Sequence, residues 1–106
     1  MAARFGLSQD DIEKLCGVFE RYPQIQQVVV YGSRAKGNYR PGSDIDLTIM
    51  GHLDWLTFNQ LEIDLDDLLL PYQIDLSLHE HIDNAELKAH IERVGQVLYS
   101  SASGTK

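Results

Sequence analysis

Val28-Val-Val-Tyr-Gly-Ser-Arg-Ala-Lys-Gly-Asn-Tyr-Arg-Pro-Gly-Ser-Asp-Ile-Asp-Leu-Thr-Ile-Met50 joins a β-branched run, a Gly-Ser turn, a basic loop and an alternating Asp-x-Asp segment. The β-branched run Val28, Val29, Val30 favours a buried strand over Gln26–Tyr31, and Gly32-Ser33 breaks it. A short helix beginning near Ser33 follows, then a loop marked by Gly37, Pro41 and Gly42. From Asp44 to Met50 polar and apolar residues alternate. Successive side chains of a strand point to opposite faces, so Asp44, Asp46 and Thr48 share one face and Ile45, Leu47 and Ile49 the other. The second set must be core.

Outward from this segment, Ser8, Asp11 and the spacing Ile12, Leu15, Cys16, Phe19 predict a capped amphipathic helix ending near Tyr22-Pro23, with Leu7 placed to staple onto Ile12. Phe58, Leu61, Leu65 and Leu68 keep a helical period between Asp54 and Leu70, with Pro71 as the stop. Tyr72 to Leu78 alternates again and leaves Gln73, Asp75 and Ser77 on its polar face. Asp83 with Glu86 makes a capping-box-like start to a closing helix whose stripe is Leu87, Ile91, Val94 and Leu98, and the end, residues 101–106, reads as frayed. Three strands and three or four helices predict an α+β fold: a small mixed sheet, helices on one face, a polar face where chemistry sits.

The bulk properties bound the function. A chain of 106 residues fits one domain, with a core over about residues 8–99, and its 43% apolar and 24% charged content is that of a folded protein. The net charge of -7 argues against general nucleic-acid binding, which rests on cationic contacts to phosphates. Basic residues concentrate locally, with Arg34, Lys36 and Arg40 inside seven positions. The lone Cys16 reads as a core thiol, and neither a membrane span nor a signal peptide is recognisable, so a cytoplasmic protein is expected.

Asp44 and Asp46 project from one side of a strand, roughly 6.6 Å apart along it. Two like charges this close repel unless a cation lies between them. Asp75 adds a third carboxylate if its strand is a neighbour, and three would suit two hard cations clamping a phosphoryl displacement. Taken alone, Asp-x-Asp reads equally well as a solvated acidic strand end. Asp64 and Asp66 share the spacing but lie in a helical segment, on opposite sides of the cylinder, and read as a solvated helix face. Gly32-Ser33, where a strand turns into a helix, is an arrangement that offers backbone N–H groups to a phosphate, although no Gly-x-x-x-x-Gly-Lys-Ser/Thr loop is present. His79 and His81 lack supporting ligands, and His52 and His90 stand alone, so none is assigned a role. Trp55 is expected to pack on the core, and Tyr39 is either a loop tyrosine or a base-stacking one.

The run from Tyr31 to Leu47, with Gly-Ser, about ten residues and then Asp-x-Asp, resembles the signature of the DNA polymerase beta superfamily of nucleotidyltransferases. The aromatic before Gly-Ser, the Arg after it and Ser43 also match; Ile74-Asp75-Leu76 resembles the strand carrying that family's third carboxylate, and Leu87 to Tyr99 its closing helix. The resemblance implies a palm-like nucleotidyltransferase core. It implies that Asp44, Asp46 and Asp75 are catalytic and hold two Mg²⁺ ions, and that Gly32 and Ser33, with Arg34 and Ser43 nearby, bind the nucleotide. The similarity is closest to the minimal nucleotidyltransferase (MNT) partners of HEPN-domain proteins. That implies AMP transfer from ATP to a hydroxyl of a HEPN-type partner encoded nearby, in a toxin–antitoxin pair. The larger relatives' additional domain is not recognisable, and the acceptor site is expected from the partner. The rival expectations are a binding module that neutralises its partner by contact alone and an aminoglycoside-like small-molecule transferase.

Overall fold

Ile45, Leu47 and Ile49 are fully buried, as their alternation requires, and they anchor the larger of two apolar clusters. The computed structural model describes residues 5–40 and 42–101. In chain order its elements are helix α1 (Gln9–Phe19), strand β1 (Ile25–Tyr31), the short helix α2 (Gly32–Lys36), strand β2 (Ile45–Gly51), helix α3 (Trp55–Asp66), strand β3 (Ile74–Leu78), a 3₁₀ turn (His79–His81), helix α4 (Ala85–Val94) and strand β4 (Gln96–Ser100). The strands form one mixed sheet in the order β3-β2-β1-β4. β1 runs antiparallel to β2 and β4, and β2 runs parallel to β3, the crossover being α3.

The three longer helices each start where a side chain supplies a missing acceptor. Ser8 accepts from Asp11 N–H at the start of α1, Asp54 from Thr57 N–H at α3, and Asn84 from Leu87 N–H at α4. The cap of α4 is thus one residue later than the Asp83 expected. α3 ends at Asp66, well before Pro71, and Leu69 takes a positive φ of 56° in the connection to β3. α1 and α3 cover one sheet face, where Leu7, Leu15, Phe19, Val28, Val30 and Leu61 join the β2 residues in the main core.

The other face is divided. Val29, Tyr31, Ile82 and Ile91 form a second, smaller cluster with Leu87 and Val94 of α4, while the acidic residues of β2 and β3 lie on the same side of the sheet. β1 is therefore buried on both faces, which explains its unbroken valine run.

The closing helix is shorter than its stripe suggests. It stops at Gly95, where φ -63° and ψ 144° are extended and a Cβ would lie 2.3 Å from Ile91 O. The following Gln96, Val97, Tyr99 and Ser100 pair with the free edge of β1 as a fourth strand. A bulge at Leu98, between the pairs Val28–Tyr99 and Val29–Val97, turns that side chain into the main core. Ser101 is buried and its N–H bonds Gln26 O; the rest of the end read as frayed, residues 102–106, lies outside the described residues.

Two further expectations change. Asp64 is not merely solvated: it accepts from the Tyr22 hydroxyl and, at 3.0 Å, from Gln60, with Arg21 at 3.9 Å. Burial and the Asp64 carboxylate push the Tyr22 hydroxyl up to about 12. Trp55, expected in the core, is 65% exposed and stacks on Phe58 at 5.7 Å. Cys16 packs at the edge of the main core. No helix among the described residues is long and apolar enough to cross a membrane.

Candidate active site

The parallel register of β2 and β3 makes Asp46 and Asp75 Cα partners, so the two carboxylates that the alternation put on polar faces stand side by side on one face. Asp44 lies just before β2 and is exposed, as is Asp75, whereas Asp46 is half-buried. Burial, then the charges of Asp75 and Asp44, hold the Asp46 carboxyl above its ordinary range, with His90 acting in the opposite sense. Tyr31, the register partner of Asp46 on β1, is 8% exposed; burial raises its hydroxyl above the usual phenol range, a hydrogen bond with Ser77 opposes this, and Asp46 and Asp75 add to it. Ser77 in turn bonds Thr48 Oγ1 at 3.2 Å, so the polar groups under the acids are tied across β1, β2 and β3.

Gly32 joins this cluster by close approach. Its φ is +75°, and a Cβ on it would lie 2.2 Å from Asp46 Oδ2. The Gly-Ser turn and the second acid of Asp-x-Asp, fourteen positions apart in sequence, are thus in contact, and only the absence of a side chain allows it. Ser33 is half-buried in the first turn of α2.

Arg34, expected near the nucleotide, is tied into the loop before β2. It is 2% exposed, its Nε and Nη2 donate to Ser43 O at 3.2 and 2.8 Å, and its Nη1 donates to Phe5 O at 2.8 Å. Tyr39 and Tyr72 lie against the guanidinium at 5.2 and 4.8 Å. The group pins the loop before β2 and has no exposed edge for a phosphate. Ser43 works in the same loop, its Oγ accepting from Arg40 N–H at 2.9 Å and its N–H donating to Arg40 O. Of the basic segment, Lys36 and Arg40 remain exposed. Tyr39 is a loop tyrosine packed on Arg34.

His90 is the residue that sequence reasoning missed. It reaches from α4 to accept a hydrogen bond from Gly32 N–H at 3.2 Å, and its ring meets Tyr31 edge-on at 6.2 Å. A lone histidine in a helical stripe carries no signal of this; only the packing of α4 against β1 and α2 brings it in. His79 and His81 do not join a site: His81 stands 3.9 Å from Glu80, which also accepts the contact of His52 Nδ1 at 2.9 Å.

The donor set suits a hard dication. Carboxylate oxygens from two strands converge on one side, and burial first, then the neighbouring Asp75 and Asp44 charges, raise the proton affinity of Asp46, a conflict that a bound cation would relieve. Among the described residues no three acidic, histidine or cysteine side chains stand as a preformed cage, so a cation would have to draw Asp44, Asp46 and Asp75 together. A cavity of about 780 Å³ lies elsewhere, between α3 and the β3 edge, with Ile63, Leu70 and Ile74 among its lining.

Comparison with known proteins identifies the family and the fold. Residues 13–103 match the family described as polymerase beta, nucleotidyltransferase. No curated protein matches the chain. Among solved structures, a crystal structure of a toxin–antitoxin with AMP-PNP superposes with a TM-score of 0.67 at 23% identity, covering 92% of this chain and 77% of that one. The toxin–antitoxin MntA–HepT gives 0.64 at 19% identity, covering 91% and 75%. A tri-AMPylated Shewanella oneidensis HEPN toxin in complex with MNT antitoxin gives 0.64 at 19% identity, covering 90% and 74%. These likenesses establish a shared fold.

Proposed function

The chain belongs to the polymerase beta nucleotidyltransferase family, and on that premise we propose that it transfers AMP from ATP, with magnesium, to a hydroxyl of a HEPN-type partner and so acts as the antitoxin of a toxin–antitoxin pair. The observation that carries this reading is the convergence of Gly32, Asp46 and Asp75 at one point of the sheet. A phosphate-facing turn and the acids are where a nucleoside triphosphate and its metals need them. The neighbours that are complexes of MNT antitoxin with HEPN toxin, one of them AMPylated, supply the class of partner and the group transferred.

In this reading Gly32 and Ser33 present N–H and hydroxyl donors to the triphosphate. Asp44, Asp46 and Asp75 hold the two magnesium ions, and Asp75, at the exposed end of the β3 pair, orients the acceptor hydroxyl for attack. The ions, when bound, supply the positive charge that offsets the phosphates and the attacking oxygen. Ser43 and Arg34 contribute by fixing the loop that delivers Asp44 and Asp46 to β2. The close packing of Asp46 on Gly32 places the carboxylate beside the phosphate donors without a side chain between them.

Thermal unfolding of the chain, alone and with its partner, tests the assignment. Magnesium and ATP together should stabilise far more than either alone, by about 2.7 kcal/mol at one hundred times Kd. In a domain this small that is a rise on the order of 10 °C. The joint effect should vanish in Asp44→Asn and shrink in Ser33→Ala. Absence of a joint shift from both the chain and the complex at saturating concentrations would refute the phosphate and metal assignment.

A further inference from the structure

We propose that His90 is a further triphosphate-binding residue, whose Nε2 donates to a phosphate oxygen delivered to the Gly32 turn. This rests on the reading of Gly32 and Ser33 as the triphosphate site.

A triphosphate brings several negative charges to a chain whose own net charge is -7, beside three aspartates. The basic residue next to Gly-Ser in sequence, Arg34, is buried in the loop and spent on the carbonyls of Ser43 and Phe5. Lys36 and Arg40 remain exposed nearby, and α4 brings a further donor to the turn itself.

His90 Nε2 stands 3.2 Å from Gly32 N, so the imidazole occupies the place into which that amide points. The amide did not need an imidazole for its own sake. Gly32 is only half-buried, and water satisfies such a group at little cost. The ring is also held: its edge contact with Tyr31 at 6.2 Å fixes it on a side chain that is itself bonded to Ser77 beneath the acids.

Neutral imidazole carries its proton on either nitrogen. The tautomer protonated at Nδ1 accepts from Gly32 N–H, as in the structure; the tautomer protonated at Nε2 donates at the same point. Once the ring withdraws from this direct contact, a phosphate oxygen can take its place at the amide and accept from both, from the amide and from the ring. A purely structural role predicts the opposite sign. If His90 only caps the amide, its removal frees Gly32 N–H for the phosphate, and affinity holds or rises.

The test measures binding of magnesium–ATP, tripolyphosphate and adenosine to the wild-type chain together with its partner, and to His90→Phe and His90→Gln. Phenylalanine keeps the ring against Tyr31 and loses both nitrogens; glutamine keeps an amide able to accept and donate. The expected result is about tenfold weaker ATP and tripolyphosphate binding in H90F, unchanged adenosine binding, and H90Q within about threefold of wild type. The melting temperature of each variant in nucleotide-free buffer establishes that it is folded; if H90F does not fold, His90→Asn, which is too short to span the gap, takes its place with the same expectation. ATP binding in H90F equal to or tighter than wild type overturns the proposal while leaving the triphosphate site intact. Loss of adenosine and tripolyphosphate binding in equal measure also overturns it, since that marks a general loss of the fold around α4. A wild-type complex that binds no nucleotide sinks the underlying reading and this inference together.

Discussion

Replacing Gly32 by Ala probes the closest contact of the candidate site, and its two consequences separate cleanly. The backbone there has φ +75°, and holding a residue with a Cβ in the left-handed region costs about 1–2 kcal/mol. For a domain of this size that lowers Tm by about 5–15 °C. The side-chain clash adds little to stability, because the atom met first is the end of a mobile carboxylate. It matters for position instead. The new Cβ would lie 2.2 Å from Asp46 Oδ2, and real Cβ contacts essentially never fall under 3.0 Å, so the oxygen must move by nearly an ångström. A misplacement of about 1 Å can cost on the order of 100-fold in transfer rate. The assay pairs thermal unfolding with single-turnover transfer to the partner, in G32A, Asp46→Asn and the double variant. The penalty of G32A on transfer should largely disappear once Asp46 is already Asn, since both act through one oxygen. A G32A protein that transfers at the wild-type rate, or penalties that add fully in the double variant, would refute the idea that the glycine is there to seat that carboxylate.

Arg34→Met should destabilise the nucleotide-free chain by about 2–4 kcal/mol in urea unfolding, by stranding the Ser43 and Phe5 carbonyls; unchanged stability with weakened ATP binding would return Arg34 to the phosphate site. In metal-free buffer D46N should be more stable than wild type at neutral pH. The folded Asp46 holds its proton above the ordinary value of 3.8, so as pH rises from that value through the raised one the wild type loses stability and D46N does not. Coinciding stability profiles across that range would contradict this, and magnesium should narrow the difference. Tyr22→Phe should cost about 1 kcal/mol and remove its share of alkaline unfolding: the Tyr22 contribution is complete below pH 10 and lost as pH rises towards 12, so a mutant with the wild-type profile over that range would refute it.

The acid site was legible because strand alternation is a local property. Ile45, Leu47 and Ile49 had to be core, which left Asp46 facing out, and the same logic set Asp75 on the polar face of its own strand. Their pairing is a matter of register, which no local pattern encodes. β4 was hidden by a period that fits two structures: Leu98 continues the Leu87–Ile91–Val94 stripe, yet Gly95 ends the helix and the open edge of β1 captures the chain. The burial of Arg34 was hidden for a related reason. Charge in a loop suggests solvent, and the carbonyls and the Tyr72 ring that bury it come from distant parts of the sequence. His90 shows the same limit, being a single residue whose partner is 58 positions away.

The central claim is that this chain is a transferase whose acids act on ATP, and α-labelled ATP tests it most directly. The purified complex of the chain with a HEPN-type protein encoded beside it, given magnesium and labelled ATP, should incorporate label into the partner and release pyrophosphate. The same complex with D46N or Asp75→Asn should assemble and incorporate almost none. An assembled wild-type complex with no labelled partner, or equal labelling by the wild type and D46N, would contradict the account.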